Sequence, residues 1–127
     1  MPTRFSETQV DVPTRALQAY LILIGVASNR QTITYEGIAR KYGYKSPETT
    51  GKLPVGQTLG PLVQWCRDRE LPLLNCLVVS SVHGEPGTEL HGTDLPAERE
   101  RVYAEDWYDL LPPTIKELRA AWDDLRG

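Results

Sequence analysis

Long hydrophobic runs, cysteine and histidine are what this sequence has least of, and each shortage excludes something. The most apolar stretch, Leu21-Ile22-Leu23-Ile24-Gly25-Val26-Ala27, is far shorter than the roughly 20 residues that cross a bilayer, so no membrane association is expected. Cys66 and Cys76 do not have the spacing of a disulfide framework, and the opening Met1-Pro2-Thr3-Arg4-Phe5 lacks the apolar core of a signal peptide. A reducing, cytoplasmic location is the expectation. His83 and His91 are the only histidines, and neither stands at a helical spacing from another good ligand. Neither a metal site nor a cofactor is therefore expected. Gly51-Lys52 ends like a phosphate-binding loop, but Leu53 replaces the Ser or Thr that holds magnesium and no glycine stands five residues before Gly51.

What is there suits one compact domain over residues 1–127: a 40% apolar content, enough for a single core, and ten glycines and ten prolines that punctuate short elements. The net charge of −3 conceals an asymmetry. Residues 1–70 hold nine Lys/Arg against six Asp/Glu, net +3, and residues 71–127 hold five against eleven, net −6. Such a chain can set a basic surface on an anionic partner and keep its acidic part for solubility or a protein contact.

Apolar spacings of three and four from Ala16 to Ala27 predict a first helix that opens at Pro13 and ends near Ser28-Asn29. Thr34 is the expected cap of a second helix that Gly43 stops, followed by a Ser/Pro/Thr/Gly-rich loop from Tyr44 to Gly56. A third helix is expected from a Thr58 cap, with Leu59, Leu62, Val63 and Cys66 inward and Pro61, Gln64 and Asp68 outward. Residues Leu73 to Ser80 read as a buried strand and Val82 to Glu89 as a wing. Helices are predicted over Pro96 to Tyr108 and, from the capping box Thr114-Ile115-Lys116-Glu117, to Leu125. The order is that of an α+β winged helix-turn-helix over residues 13–91, with residues 92–127 as an acidic helical C-terminal extension.

Tyr35-Glu36-Gly37-Ile38-Ala39, Leu59-Gly60, and Leu71-Pro72-Leu73-Leu74 leading to Cys76 resemble the DNA-binding domain of alkylguanine-DNA alkyltransferases and alkyltransferase-like proteins. The resemblance spans residues 32–87. It implies a winged helix on DNA, with Tyr35 on the backbone near an extruded base and Gln64 where the family inserts an arginine. The family's Pro-Cys-His-Arg motif stands here as Asn75-Cys76-Leu77-Val78, without the histidine that activates the thiol. A thiol of ordinary pKa about 8.5 with no base or cation beside it is a poor nucleophile at neutral pH, so no catalytic residue is expected. Leu77-Val78-Val79, the turn Gly84-Glu85-Pro86-Gly87 and the stretch Arg99 to Trp107 are also similar to a pattern in small prokaryotic proteins.

Two functional readings follow. In the first, the chain is a non-enzymatic DNA-binding protein, a regulator or a sensor of DNA structure or lesions. Tyr35, Arg40, Lys41, Lys45, Lys52, Gln64 and Arg67 meet DNA in a salt-sensitive way, against the plainer reading of solvated lysines and arginines. Asp68 on the same face weakens that docking. In the second, the chain is a protein-interaction module or a small inhibitor from a phage or mobile element. Its contact surface is then Glu105, Asp106, Trp107, Tyr108, Asp109 and Trp122, facing a protein partner or a second copy, although most of that aromatic mass should pack on the first helix. A thiol enzyme centred on Cys76 ranks behind both.

Overall fold

The computed structural model describes residues 2–5, 10–44, 54–80 and 93–127. These form five helices and a two-stranded parallel sheet, a mostly helical α+β arrangement. The wing expected over 82–89 lies outside the described residues, as do Lys45, Lys52, His83 and His91.

Helix α1 (Val12–Ser28) begins as its sequence requires: Asp11 accepts from the Thr14 amide at 3.0 Å, and Pro13 sits in the first turn, where no N–H is needed. Strand β1 (Ile33–Thr34) leads into α2 (Tyr35–Lys41), capped by Thr34 Oγ1, which accepts from the Gly37 amide at 2.9 Å. Gly43 then takes a φ of +90°, a left-handed conformation that costs glycine little, and α2 ends as expected.

Helix α3 (Val55–Asp68) starts earlier than its Thr58 signal suggested, with Pro54 at the cap position. Thr58 is instead buried inside the first turns, where its hydroxyl reaches the Val55 carbonyl at 2.6 Å and shares a hydrogen bond with the Tyr42 hydroxyl at 2.8 Å. A hydroxyl that finds a backbone carbonyl within its own helix has no need to serve as a cap. Pro61 lies well inside the helix and is buried rather than outward.

The expected strand over 73–80 is mostly a 3-10 turn, Leu74–Leu77, and only Val78–Val79 form β2, which pairs with β1 in the register Ile33 to Val78. Leu74, Asn75, Cys76 and Leu77 are all buried. A strand would turn alternate side chains outward, whereas the tight turn directs four consecutive ones into the core. Asn75 is held there by donating to the Leu59 carbonyl at 3.1 Å.

Helix α4 (Leu95–Ala104) stops short of the predicted Tyr108, and a second 3-10 turn (Trp107–Asp109) follows. Trp107 causes the change of direction: its ring is buried, and its Nε1–H donates back to the Val102 carbonyl at 2.8 Å. Helix α5 (Ile115–Arg126) carries the predicted capping box, with Thr114 and Glu117 bonded reciprocally at 2.9 and 3.0 Å.

Helices α1, α3 and α5 pack on one another, so the core is shared between residues 12–80 and 93–127. Tyr20 sits at its centre, edge-on to Trp65 at 5.7 Å and to Trp107 at 6.4 Å. None of the helices among the described residues is long and apolar enough to cross a membrane.

Candidate nucleic-acid interface

Burial of α3 on three sides leaves one face to solvent. With 3.6 residues per turn, Gly56, Gln57, Gly60, Gln64, Arg67 and Asp68 share that face. Gly56 leaves open space over the backbone, whereas Gly60 lies under the Leu125 side chain of the last helix, 3.3 Å from where a Cβ would stand. Pro61 has no N–H to give to the Gln57 carbonyl. Gln64 donates to Asp68 at 2.8 Å, so part of its amide is already engaged. Gly56 and Gln57 escaped the sequence reading because the later helix start left them outside α3, whereas Gly60 already stood within the expected helix.

The other predicted contacts are distributed around this face unevenly. Tyr35 opens α2 and is half-buried against the core. Arg40 forms an ion pair with Glu36 one turn away, and both are exposed. Lys41 is exposed at the end of α2, where its carbonyl accepts from Gln18 at 3.3 Å. Its side chain lines a groove with Leu21, Ile22, Val26 and Ile33 on the outward side of α1.

Charge separation along the sequence is largely closed in space. Arg30 pairs with Glu100 at 2.7 Å, Arg69 pairs with Glu117, and Arg119 pairs with Asp11 at 2.8 Å, each joining the basic part of the chain to the acidic part. Arg30 also lies over Tyr103 and Arg69 over Trp65, at 4.9 and 4.7 Å from the ring centres. The basic residues of 30–69 therefore do not present one unpaired stripe among the described residues. Exposed pairs of this kind are worth roughly 0–1 kcal/mol, so a phosphate can displace a carboxylate from Arg40 at small cost.

The residues of the second reading separate sharply. Trp107 is buried and belongs to the core, contrary to its place among the contact residues. A tryptophan three residues beyond the end of α4 has a core pocket within reach and a carbonyl for its N–H. Trp122 is half-buried with Arg126 5.3 Å above its ring, and Glu105 is half-buried. Asp106, Tyr108 and Asp109 are exposed, Tyr108 at 68%. Leu111, outside the predicted contact set, is the most exposed large apolar residue described, at 89%. The two prolines after it are the sequence feature that could have marked it, since a chain held extended there cannot fold the leucine inward as a helix would.

Both thiols are inert by position. Cys76 is fully buried, and burial pushes its thiol up to about 12, with the nearby Glu98 carboxylate acting in the same direction. Burial likewise pushes Cys66 up to about 12. The Arg99 guanidinium beside Cys76 donates to its backbone carbonyl at 2.9 Å. At neutral pH Cys76 is a packed thiol, not a nucleophile. Among the described residues, no three of His, Cys, Asp and Glu gather closely enough to hold a metal ion.

No protein-family model, curated protein or solved structure matches this chain.

Proposed function

We propose that the chain is a non-enzymatic DNA-binding protein on a winged helix-turn-helix frame, with α3 as the helix that enters the major groove. The observation that carries this reading is the outward face of α3: Gln57, Gln64 and Arg67 alongside Gly56, on a helix whose other sides are buried. Amide side chains pair with adenine edges and arginine with guanine, and a glycine-bearing helix surface lets the backbone sit deep in the groove. The order of helix, strand, helix, helix and strand supports the frame.

Position along the helix answers the objection from Asp68. Recognition helices use their N-terminal residues on base edges. Gln57 stands near that end, about 16 Å along the axis from Asp68. Arg67, Lys41 and an Arg40 freed from Glu36 supply the phosphate contacts, with Tyr35 beside them. So small a set of cations makes for weak binding whose affinity falls with salt at a slope of about −1 to −3.

Fluorescence anisotropy of labelled duplex DNA, at low and at near-physiological salt, tests the proposal. Salt-dependent binding that Gln57→Ala, Tyr35→Ala and Lys41→Glu each weaken is expected, with Cys76→Ser leaving it unchanged. Absence of binding at low salt overturns it.

A further inference from the structure

A chain of buried hydroxyls stands where α1, α2 and α3 meet. Tyr42, the residue that closes α2, is 6% exposed, and its hydroxyl lies 2.8 Å from Thr58 Oγ1 and 3.3 Å from the Arg15 carbonyl. Thr58 is fully buried, and its own hydroxyl reaches the Val55 carbonyl at 2.6 Å. Each hydroxyl has a single proton to give. The two shortest contacts use both: Thr58 donates to Val55, and Tyr42 donates to Thr58, with the Arg15 carbonyl as a more distant second acceptor. Burial pushes the Tyr42 phenol above the usual tyrosine range, so that proton stays in place at neutral pH.

This chain ends beside the residue that α3 presents first. The opening turn of α3 has little local support: Pro54 at the cap position makes no side-chain hydrogen bond, and Gly56, with nothing within 4 Å of where a Cβ would stand, favours a helix poorly. Val55 and Thr58 are the buried residues of that turn, and Gly56 and Gln57 are the exposed ones between them. Among the described residues, Gln57 is therefore held in place by the packing of Val55 and by the bond from Tyr42 to Thr58. At its other end, Tyr42 follows Arg40 and Lys41 directly in the chain. A valine in place of Thr58 would fill nearly the same volume with no hydroxyl to bury, so the core alone does not call for the bond. A satisfied buried polar network adds a fixed geometry.

We infer that Tyr42 and Thr58 are the positioning pair of the recognition helix, fixing Gln57 at a set distance from Lys41 so that base and phosphate are contacted in one register. The inference rests on the reading of α3 as the helix that meets base edges. Both residues are buried, so they touch no nucleic acid and act through Gln57. Hydrogen bonds to a base edge weaken steeply away from ideal distance and angle, whereas phosphate contacts carry no sequence information. Loss of the bond should therefore cost sequence preference and spare general affinity.

Selection of duplexes from a randomised library by the wild type, followed by anisotropy on a selected and a scrambled duplex at one salt concentration, tests it. The readout is the ratio of the two affinities, with urea unfolding of each variant alongside. Thr58→Val and Tyr42→Phe remove the bond from either side at nearly constant volume. Each should lower the ratio by about ten-fold, the order of one base contact, while the scrambled duplex binds as before. Together they should do no more than either alone, because they break the same bond. Thr58→Ser keeps the hydroxyl and should keep the ratio, although the lost buried methyl lowers its unfolding midpoint. A merely structural residue would not show that separation. A wild type that binds without sequence preference, single variants that keep its ratio, or ratios that follow stability with Thr58→Ser included each overturn the inference and leave DNA binding standing. A wild type that binds no duplex at low salt overturns the DNA reading itself, and the inference falls with it.

Discussion

The outward face of α3 and the ridge of Tyr108 and Leu111 after α4 are both open to solvent, and they differ in what they present. On α3, Gly56 and amide side chains present hydrogen-bonding groups, the feature on which the proposed reading of base edges rests. On the ridge, an exposed tyrosine and leucine sit among carboxylates. The same core supports both. Apolar residues at helical spacing bind α3 inward and leave its polar face free, whereas a single buried tryptophan pins the ridge and forces its neighbours out.

Removing that tryptophan is the strongest way to break the comparison. Trp107→Ala should cost about 3–5 kcal/mol in chemical denaturation, because it empties the pocket beside Tyr20 and removes one of the two N–H donors to the Val102 carbonyl, the other being the Glu105 amide. The neighbouring Tyr108→Ala should stay within about 0.5 kcal/mol of the wild type. An equal loss from the two would mean that the ridge is packed and not displayed.

On the α3 side, Leu62→Ala should cost about 2–5 kcal/mol, whereas Gln57→Ala should leave the unfolding midpoint nearly unmoved while weakening the proposed DNA binding. A Gln57→Ala protein that loses stability would place the residue in the fold and not on the recognition face. A smaller effect is expected at the helix starts. Thr114→Ala removes one side of the capping box of α5 and should cost about 1 kcal/mol, read by thermal or urea unfolding.

The thiols and the carboxylates that join the two regions give the smallest effects. Cys66 and Cys76 should resist thiol reagents in the native state and react once the protein is unfolded, since burial keeps both protonated well above neutral pH. For Asp11, burial raises the carboxyl, but hydrogen bonds from Thr14 and Arg119 more than offset it and hold it below its ordinary value. The Thr114 amide holds Glu117 low against the opposing effect of burial, with Arg69 adding to the lowering. Both depressed groups contribute stability above the ordinary carboxylate range and lose it as pH falls through their folded values. Stability should therefore decline below about pH 4. Asp11→Asn should make that decline shallower in an acid unfolding series.

Much of this was legible in the residues. Pro13, Thr34, Gly43 and the Thr114/Glu117 box each mark a helix boundary where the structure has one, because such signals act between neighbours in the chain. Thr58 misled because the same hydroxyl can cap a helix or bond within one, and the choice rested on Tyr42, sixteen residues away. Leu73 to Ser80 misled because an apolar run buried on all sides carries no period, so strand and 3-10 turn look alike in the sequence. On the candidate interface, Arg67 and Lys41 were foreseen as surface cations and are exposed, Gln64 was foreseen as outward and is half-buried, and Gln57 was not foreseen, since its exposure depends on where α3 begins.

By itself, the sequence determined the helix boundaries that depend on caps, the apolar stripe of α1, the absence of a helical membrane span among the described residues and the charge asymmetry along the chain. These are properties of composition and of residues within about four positions of one another. Tertiary structure alone decided that Arg30, Arg69 and Arg119 spend their charge on carboxylates 70, 48 and 108 residues distant. It also decided that α5 completes the core, that Trp107 lies inside and Leu111 outside, and that Cys76 is packed out of reach. Burial and pairing at long separation depend on which surfaces meet, and no local pattern encodes that.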